Sequence, residues 1–326
     1  MKLKTVFMLS LLLIPFGLIL SNTVTTPFLT YSMWVLMGFG TSGIGLSIMH
    51  DANHGAYSKS EGVNKILGYL FNLIGSYHVN WKIQHNVLHH SFTNVDGYDE
   101  DIDTPVLRFT PNQERKSIHK FQAYYASFFY SIMTLNWIMN KDFKQLKRYS
   151  DEDLLKDQGL SFASALTTTI LIKTGYFALM VGLPMLLSPL AWWHTVLGFL
   201  LMHGVIGLTL AFIFQTAHVI EETAFPKLDE NNTLENNWAI HQMRTTANFA
   251  NKSRIFSWFI GGLNYQIEHH LFPNICHVHY RKISKIVKET AKEFNVPYHH
   301  HKTFIDALKS HFSLLNRLGT GTYDQK

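Results

Sequence analysis

Cysteine and charge are both scarce in this chain of 326 residues. It has one cysteine, Cys276, and 16% charged residues against 47% hydrophobic ones. A single cysteine excludes an internal disulfide and a thiolate cage for a metal, so a metal site here must use nitrogen and oxygen ligands. The low charge and a mean hydropathy near zero argue against an ordinary soluble enzyme and predict a membrane protein with sizeable polar loops.

Features of nucleotide and nucleic-acid binding are also missing. The sequence contains no glycine-rich phosphate loop, and its net charge is a modest +5. In a membrane protein such an excess predicts basic loops on one membrane face and no nucleic-acid partner. Because no internal repeat or low-complexity linker divides the sequence, we expect residues 1–326 to form a single domain.

Long apolar runs predict four membrane helices arranged in two hairpins. The runs cover about residues 5–20, 28–49, 174–190 and 191–217. Trp192 and Trp193, at the second tight turn, are typical of anchors in the membrane interface. We expect Lys173 to lie at the membrane surface, with its helix continuing back toward Ser161.

The distribution of basic residues predicts the side of each segment. The tight loops 21–27 and 188–191 carry no charge, whereas the N-terminus, residues 50–172 and residues 218–326 carry nearly all the lysines and arginines. The positive-inside rule assigns these three segments to the cytoplasm. The stretch 121–139 would be a fifth span, but its recurring polar residues favour a helix in the interface. We predict an all-α membrane protein with four membrane helices capped by a cytosolic helical domain.

The nineteen histidines of the sequence are concentrated in short motifs. "HDANH" gives His50 and His54, "HNVLHH" gives His85, His89 and His90, "QTAH" ends at His218, and "QIEHH" gives Gln266, His269 and His270. We call HDANH, HNVLHH and QIEHH the first, second and third boxes. On a helix, residues three and four apart share a face, so each box presents neighbouring side chains. Chance would produce about one HxxxH, but only about 0.06 of an HxxxHH and about 0.03 of a QxxHH. Chance therefore does not account for the second and third boxes.

The predicted topology brings these motifs to one membrane face. His50 and His218 lie where the second and fourth spans end, and the other boxes lie in segments assigned to the same side. Eight imidazoles exceed the about four to six ligands of one ion, so we predict a two-metal site just outside the bilayer. Imidazole ligands suit iron, zinc or copper, and spacing does not separate them. Zinc would favour hydrolysis through an activated water, whereas iron brings oxygen chemistry.

The segments around the boxes resemble the histidine boxes of integral-membrane fatty-acid desaturases. They are "HDANHGAYS", "WKIQHNVLHHSFTNVDGYDEDID" and "NYQIEHHLFPNICHVHY". The resemblance extends over about residues 45–310 and includes "HQMRTTANFA" at 241–250. The third box begins with glutamine, and in this it resembles the third box of the front-end, Δ6-type desaturases and of their bacterial linoleoyl-CoA relatives.

This resemblance implies an enzyme that inserts a cis double bond into a long acyl chain, which is carried as acyl-CoA or acyl-lipid. We expect the enzyme to lie in a bacterial cell membrane, with its active site on the cytoplasmic side. It implies two non-haem iron ions (Fe2+) that activate O2. The implied iron ligands are His50, His54, His85, His89, His90, His218, His269 and His270, with Gln266 as a further ligand or a residue that orients one. The acids that could accept a ring N–H from a ligand histidine are Asp51, Asp96, Asp99, Asp101, Glu221, Glu222 and Glu268.

Such an enzyme uses two electrons per turnover, and no part of this sequence is typical of an electron carrier. The HPGG motif of a fused cytochrome b5 domain is absent, so the resemblance implies a separate donor, a ferredoxin or a cytochrome b5. Basic residues at 141–148 and 281–288 could dock an acidic donor or face lipid headgroups. His203, within the fourth span, is either functional or hydrogen-bonded to a neighbouring helix. The tract 299–301 we interpret as surface histidines.

Three other functions are compatible with the residues alone. A hydroxylase on the same two-metal scaffold would return oxygen to carbon and yield a hydroxy acid. A membrane zinc hydrolase would be active without oxygen. A metal or haem transporter would need polar residues along its spans, whereas these spans are largely apolar.

Overall fold

The structure is mostly helical, at 67%, with almost no strand. The computed structural model describes residues 1–231 and 233–323. Within these residues, four helices are long and apolar enough to cross a membrane: Lys2–Leu20, Pro27–Asn53, Phe162–Leu187 and Trp192–His218. The predicted all-α class with four membrane helices is confirmed. The third membrane helix begins at Phe162, ahead of the apolar run predicted at about 174–190 and in line with the expectation that the helix continues back toward Ser161.

The other elements are short. Before the third membrane helix they are Glu61–Gly68, Leu70–Leu73, His78–Trp81 continuing as Lys82–His89, Ser117–Phe121, Gln122–Asn136 continuing as Trp137–Lys141 and Asp142–Asp151, and Leu154–Asp157. After the fourth they are Trp238–Thr245, Ala247–Phe249, Arg254–Phe259, Gln266–Leu271, His277–His279, Tyr280–Glu293, His299–His301 and Phe304–Thr320. Of these, Ala247–Phe249 and His299–His301 are strands, paired in parallel. The histidine tract near the C-terminus is therefore a strand, in which His300 is exposed.

Contacts within the chain define two compact units. The first unit comprises Met1–Ile83 and Phe129–Leu210, and the second comprises Gln84–Phe128 and Ala211–Lys326. The first box belongs to the first unit. The second and third boxes, together with His218, belong to the second unit.

Small residues allow the membrane helices of the first unit to pack closely. A Cβ added to Gly198 of the fourth membrane helix would overlap the Trp34 indole of the second. A Cβ on Gly38 would come within 2.8 Å of Val205 Cβ. Trp34 is fully buried. Because lipid tails are as apolar as the side chains, helix association in a bilayer depends on this kind of close van der Waals packing.

Changing Gly198 to alanine is therefore expected to destabilise the protein. The new methyl group must displace a buried indole, and overpacking of this kind costs about 1–3 kcal/mol. The matched control is Gly204→Ala on the same helix, where a Cβ meets nothing within 4 Å. Melting temperatures in detergent measure both changes. Equal melting temperatures for the two variants would contradict the close contact between Gly198 and Trp34.

A buried ion pair links the third membrane helix to the start of helix Asp142–Asp151. Lys173 Nζ lies 2.6 Å from Asp142 Oδ2, and the two side chains are 8% and 0% exposed. The Tyr77 N–H and the Trp137 indole N–H also donate to this carboxylate, at 3.3 and 3.2 Å. The ammonium group is thus buried in an ion pair, and the location of Lys173 at the membrane surface stays a prediction. The sequence does not show that a carboxylate 31 residues earlier folds back against the ammonium group.

His203 is held by hydrogen bonds within the first unit. Its Nδ1 lies 2.9 Å from the Thr134 hydroxyl, and its Nε2 lies 2.9 Å from the Tyr176 hydroxyl. Both ring nitrogens have partners on other helices, as expected for the alternative in which His203 is hydrogen-bonded to a neighbouring helix. Thr134 belongs to helix Gln122–Asn136, which is not among the four membrane-length helices of the described chain. Its location in the interface stays a prediction.

Candidate metal centre

The second box lies on a helix that is wound more widely than an α-helix. Lys82–His89 is a π-helix, and the His90 N–H donates to the His85 carbonyl, five residues back. In an α-helix, residues five apart point about 140° from each other, whereas π winding brings them onto one face. His85 Nε2 and His90 Nε2 lie 3.3 Å apart, and the His85 and His89 rings stack with centroids 5.3 Å apart. All three histidines therefore lie on one face.

Histidines from three segments of the second unit converge on one another. His89, His218 and His270 offer ligand nitrogens within 4.8 Å of one another, and so do His90, His269 and His270. His90 Nε2 lies 3.0 Å from His269 Nε2. Nitrogens that share a metal ion at about 2.1 Å stand about 3.0–3.4 Å apart. The spacing of these buried rings therefore fits metal coordination.

Hydrogen bonds at Nδ1 orient the rings. The pairs are His89 with Asp99 Oδ2 at 3.0 Å, His218 with the Thr245 carbonyl at 3.2 Å, His269 with the Tyr280 hydroxyl at 3.2 Å and His270 with Gln242 Oε1 at 2.6 Å. A ring that donates from Nδ1 keeps Nε2 unprotonated, which is the form that binds a metal. The Nε2 of His270 is buried without a hydrogen-bond partner among the described residues. This nitrogen is available to a metal ion, so the cluster can hold one.

The charges at the cluster favour neutral imidazoles beside an ionised carboxylate. Burial lowers the pKa of His270 well below its ordinary value, and the neighbouring histidines lower it further. Burial raises the pKa of Asp99, but His89 and the backbone N–H groups of Asn94 and Asp101 outweigh it, so this pKa is lowered overall. Asp99 therefore stays ionised and can hold the ring N–H of His89.

Changing Asp99 to asparagine is expected to weaken metal binding about 10- to 100-fold, because carboxylates that orient a ligand histidine make contributions of this size. The substitution keeps the shape of the side chain and removes its charge. Asp103→Asn, at an exposed position of the same loop, is the control. Metal retained by each variant after dialysis against a graded chelator gives the affinity. Equal retention in both variants would contradict the role of Asp99.

The first box lies at the end of the second membrane helix, in the first unit. The π-helix Ile44–Met49 directly precedes His50. The rings of His50 and His54 lie 4.8 Å apart, and both meet Trp81 edge-on, at 5.5 and 5.8 Å. Asp51 Oδ1 is 3.9 Å from His50 Nδ1, beyond hydrogen-bond distance. The two histidines are thus buried neighbours, as their spacing of four predicts.

Gln266 and Glu268 of the third box have different surroundings. Gln266 Nε2 lies 3.1 Å from His218 Nε2, and its buried Oε1 has no hydrogen-bond partner among the described residues. This amide oxygen is open to a ligand. Glu268 accepts hydrogen bonds from Asn248 and from Tyr298, at 2.8 and 3.0 Å. Burial raises the pKa of Glu268 to about 7 despite these bonds. The two bonds connect the third box to Asn248 and Tyr298.

The other acids named from the sequence contact different groups. Asp96 accepts from the Thr110 hydroxyl, Asp101 accepts from Gln84 and lies 3.8 Å from His89, Glu221 pairs with Arg317, and Glu222 accepts from Ser310 and lies 3.2 Å from His301. Among the acids named from the sequence, Asp99 hydrogen-bonds to the ligand histidine His89.

Three residues that the sequence analysis did not name also contact the cluster histidines. They are Gln242, Thr245 and Tyr280. Gln242 and Thr245 fall within "HQMRTTANFA", and Tyr280 ends the third resembling segment. The segments were therefore visible in the sequence, but the roles of these positions within them were not.

The four apolar helices fit a multi-pass membrane protein, and the buried histidine cluster could hold a metal. The model of the fatty acid desaturase family matches residues 26–302, and the chain belongs to this family. It is 37% identical over 292 residues to the sn-1 linoleoyl-lipid 6-desaturase of Arthrospira platensis, covering 87% of this chain and 76% of the relative. It is 34% identical over 326 residues to the enzyme of the same name from Synechocystis sp., covering 98% of this chain and 88% of the relative.

A further relative comes from a moss. The acyl-lipid (8-3)-desaturase of Physcomitrium patens is 38% identical over 296 residues, which cover 89% of this chain and 60% of the relative. The protein is thus a fatty-acid desaturase, an oxidoreductase of lipid metabolism. The names of its relatives do not favour the hydroxylase that the residues alone left open.

Proposed function

We propose that this protein inserts a cis double bond at carbon 6 of an acyl chain carried by a membrane lipid, with two non-haem irons, O2 and a separate electron donor. Two relatives are named sn-1 linoleoyl-lipid 6-desaturases and a third an acyl-lipid desaturase. These names support a lipid-bound substrate over acyl-CoA. The observation that carries the proposal is the buried histidine cluster, in which Nδ1 groups are tied and the Nε2 of His270 is open.

In this proposal eight histidines hold the two irons. They are His50, His54, His85, His89, His90, His218, His269 and His270, and Gln266 is a candidate ninth ligand through Oε1. Two groups of three histidines that share His270 support two metal positions. Imidazole ligands without thiolate suit Fe2+. Bound iron would supply the activation of O2 and the cleavage of unactivated C–H bonds, which protein side chains cannot perform unaided.

The reaction removes two hydrogen atoms from adjacent methylenes and forms one carbon–carbon double bond. Two electrons and two protons from the acyl chain, two electrons from the donor and two protons from solvent balance the reduction of one O2 to two waters. The protein contributes position. Its buried histidines keep bulk water away from the reacting carbons, and the acyl chain must be held to within about one carbon spacing for the double bond to fall at one place.

We assign the metal centre to the cytoplasmic face of a bacterial cell membrane. The distribution of charge supports this assignment, because the loops 21–27 and 188–191 carry no charge and the histidine-bearing segments carry most of the basic residues. Labelling in intact cells of single cysteines introduced at the exposed residues 25 and 189, with Cys276 replaced by serine, tests it. Protection of both positions from a membrane-impermeant reagent would contradict the assigned orientation.

Expression in a bacterium that makes no polyunsaturated lipid tests the regiochemistry. Cells fed linoleate are expected to accumulate lipids whose linoleoyl chains carry an added double bond at carbon 6, located by mass spectrometry after derivatisation of the double bonds. The same host expressing His270→Ala is the control. A hydroxy acid without an alkene would refute desaturation, and a new double bond at another carbon would refute the assigned position.

The purified protein tests the cofactor and the form of the substrate. We expect two irons per chain and an absolute requirement for O2. Membranes supplied in parallel with labelled linoleoyl lipid and labelled linoleoyl-CoA are expected to convert the lipid directly. Full activity with zinc, or conversion of the CoA ester before any label reaches lipid, would overturn the corresponding part of the proposal.

A further inference from the structure

The proposed function requires electrons to reach a buried centre. The cluster histidines of the second unit, from the second and third boxes and His218, are at most 5% exposed, so a donor protein cannot touch them. Electron transfer weakens steeply with distance, and covalent bonds and hydrogen bonds carry it better than empty space. The chain must therefore present a surface group with a short bonded path to the cluster.

Trp238 has such a path. Its side chain is 45% exposed, and its indole N–H donates to the His90 carbonyl at 2.9 Å. His90 Nε2 in turn lies 3.0 Å from His269 Nε2. One hydrogen bond and one residue thus connect the surface of the second unit to the centre of the histidine cluster.

The helix that begins at Trp238 is fixed against the cluster. The Asn237 side chain caps it by accepting from the Ile240 N–H at 3.0 Å. One turn along, Gln242 donates to the same His90 carbonyl at 3.0 Å and accepts from His270 Nδ1 at 2.6 Å. The position of the indole relative to the cluster is therefore defined by bonds at both ends of the first turn.

Other residues that hydrogen-bond to the cluster histidines are buried. Asp99, Gln242, Thr245 and Tyr280 are each at most 1% exposed. Trp238 differs from them because nearly half of its surface is accessible. Large exposed aromatic side chains are also typical of protein interfaces, where tryptophan contributes strongly to binding.

We propose that Trp238 is the point of electron entry, at which a one-electron carrier protein docks and reduces the metal centre. This inference rests on the proposed function. The carrier loses one electron at each encounter and the centre gains it, so two encounters supply the two electrons of one turnover. The path runs through the indole, its hydrogen bond, and the backbone and ring of His90.

The test compares two reductants on the iron-loaded protein without oxygen. A reduced ferredoxin must dock, whereas the methyl viologen radical can approach the protein anywhere. Trp238→Leu is expected to slow reduction by the ferredoxin about tenfold or more, equivalent to about 1.4 kcal/mol, and to leave reduction by the viologen and the iron content unchanged. Trp258→Leu is the matched control, because Trp258 belongs to the same unit and is 38% exposed.

Binding provides a readout that needs neither iron nor turnover. Oxidised ferredoxin titrated into the metal-free protein is expected to quench tryptophan fluorescence, and Trp238→Leu is expected to raise the Kd about tenfold. Trp238→Phe separates contact from conduction. It keeps an aromatic surface and lacks the N–H, so we expect nearly normal binding with slow reduction.

Two results would overturn the inference. Equal slowing with both reductants, together with lost iron, would mean that Trp238 only holds His90 in position. Unchanged reduction by ferredoxin would move the entry point elsewhere, for example to the basic helix Tyr280–Glu293, where Lys285→Glu would then slow reduction. Failure of the proposed function is distinguishable, because the wild-type centre would then be reduced by both reductants while no new double bond formed.

Discussion

Changing His270 to alanine is expected to reduce double-bond formation below detection and to remove at least one metal ion from the purified protein. His270 belongs to both groups of three histidines in the second unit. Its Nδ1 is tied to Gln242, and its Nε2 is buried and open. The nearby rings of His89, His218 and His269 are held by their own Nδ1 hydrogen bonds, so we do not expect them to move into the position of His270. Lipid analysis of expressing cells and elemental analysis of the protein measure the two effects.

The control for this experiment is His300→Ala. His300 lies exposed on the second strand, so its loss is expected to change neither product nor metal content. Size-exclusion profiles and melting temperatures establish that both variants fold. A folded His270→Ala protein with normal product and normal metal content would refute the ligand role of His270.

Changing Asp142 to asparagine is expected to destabilise the protein by about 3–5 kcal/mol, because removing one partner of a buried ion pair leaves the other charge uncompensated. Asparagine keeps one acceptor oxygen, whereas the Tyr77 and Trp137 N–H groups donate to different oxygens of the carboxylate, so the substitution removes the charge and one hydrogen bond. The ammonium of Lys173, 8% exposed, would then be buried within a membrane helix without its counter-ion. Thermal unfolding in detergent and the yield of folded protein from membranes report the loss.

A second substitution tests whether charge is the cause. Lys173→Met in the Asp142→Asn background removes the unpaired ammonium and is expected to recover most of the lost stability. The exposed pair of Lys147 and Asp151, 75% and 64% exposed, provides the comparison, and Asp151→Asn is expected to cost at most about 0.5 kcal/mol. If the double variant is no more stable than Asp142→Asn alone, lost packing and not the buried charge explains the effect.

The parts of this protein that the sequence predicts are those encoded over short distances. Apolar runs long enough to cross a bilayer predicted the four membrane helices, and the spacing of four between His50 and His54 predicted adjacent rings. Lys173 interrupts the third apolar run, but the helix was expected to continue back toward Ser161, and it begins at Phe162. Only the folded chain brings Asp142 to that lysine.

The candidate site divides in the same way. The box histidines could be chosen from spacing and resemblance, whereas the groups that orient them could not. Gln242 meets His270 across 28 residues, and Trp238 meets the His90 carbonyl across 148. Such hydrogen bonds depend on how separate helices pack, and no local pattern in the sequence encodes them. Asp99 could be named as a candidate partner from the sequence, because it is only ten residues from His89.

The two π-helical segments beside the first and second boxes make chain length part of the site. Each contains more residues per turn than an α-helix covering the same distance, so it holds one residue that regular winding would not accommodate. If Ile44–Met49 were wound as an α-helix with the same number of residues, the flanking parts of the helix would turn by about 100° relative to each other. Every histidine would still be present, but His50 and His54 would point in a new direction relative to Trp34. Substitution scans leave the number of residues unchanged and cannot reveal this constraint, whereas single-residue insertions and deletions in the neighbouring α-helical turns can.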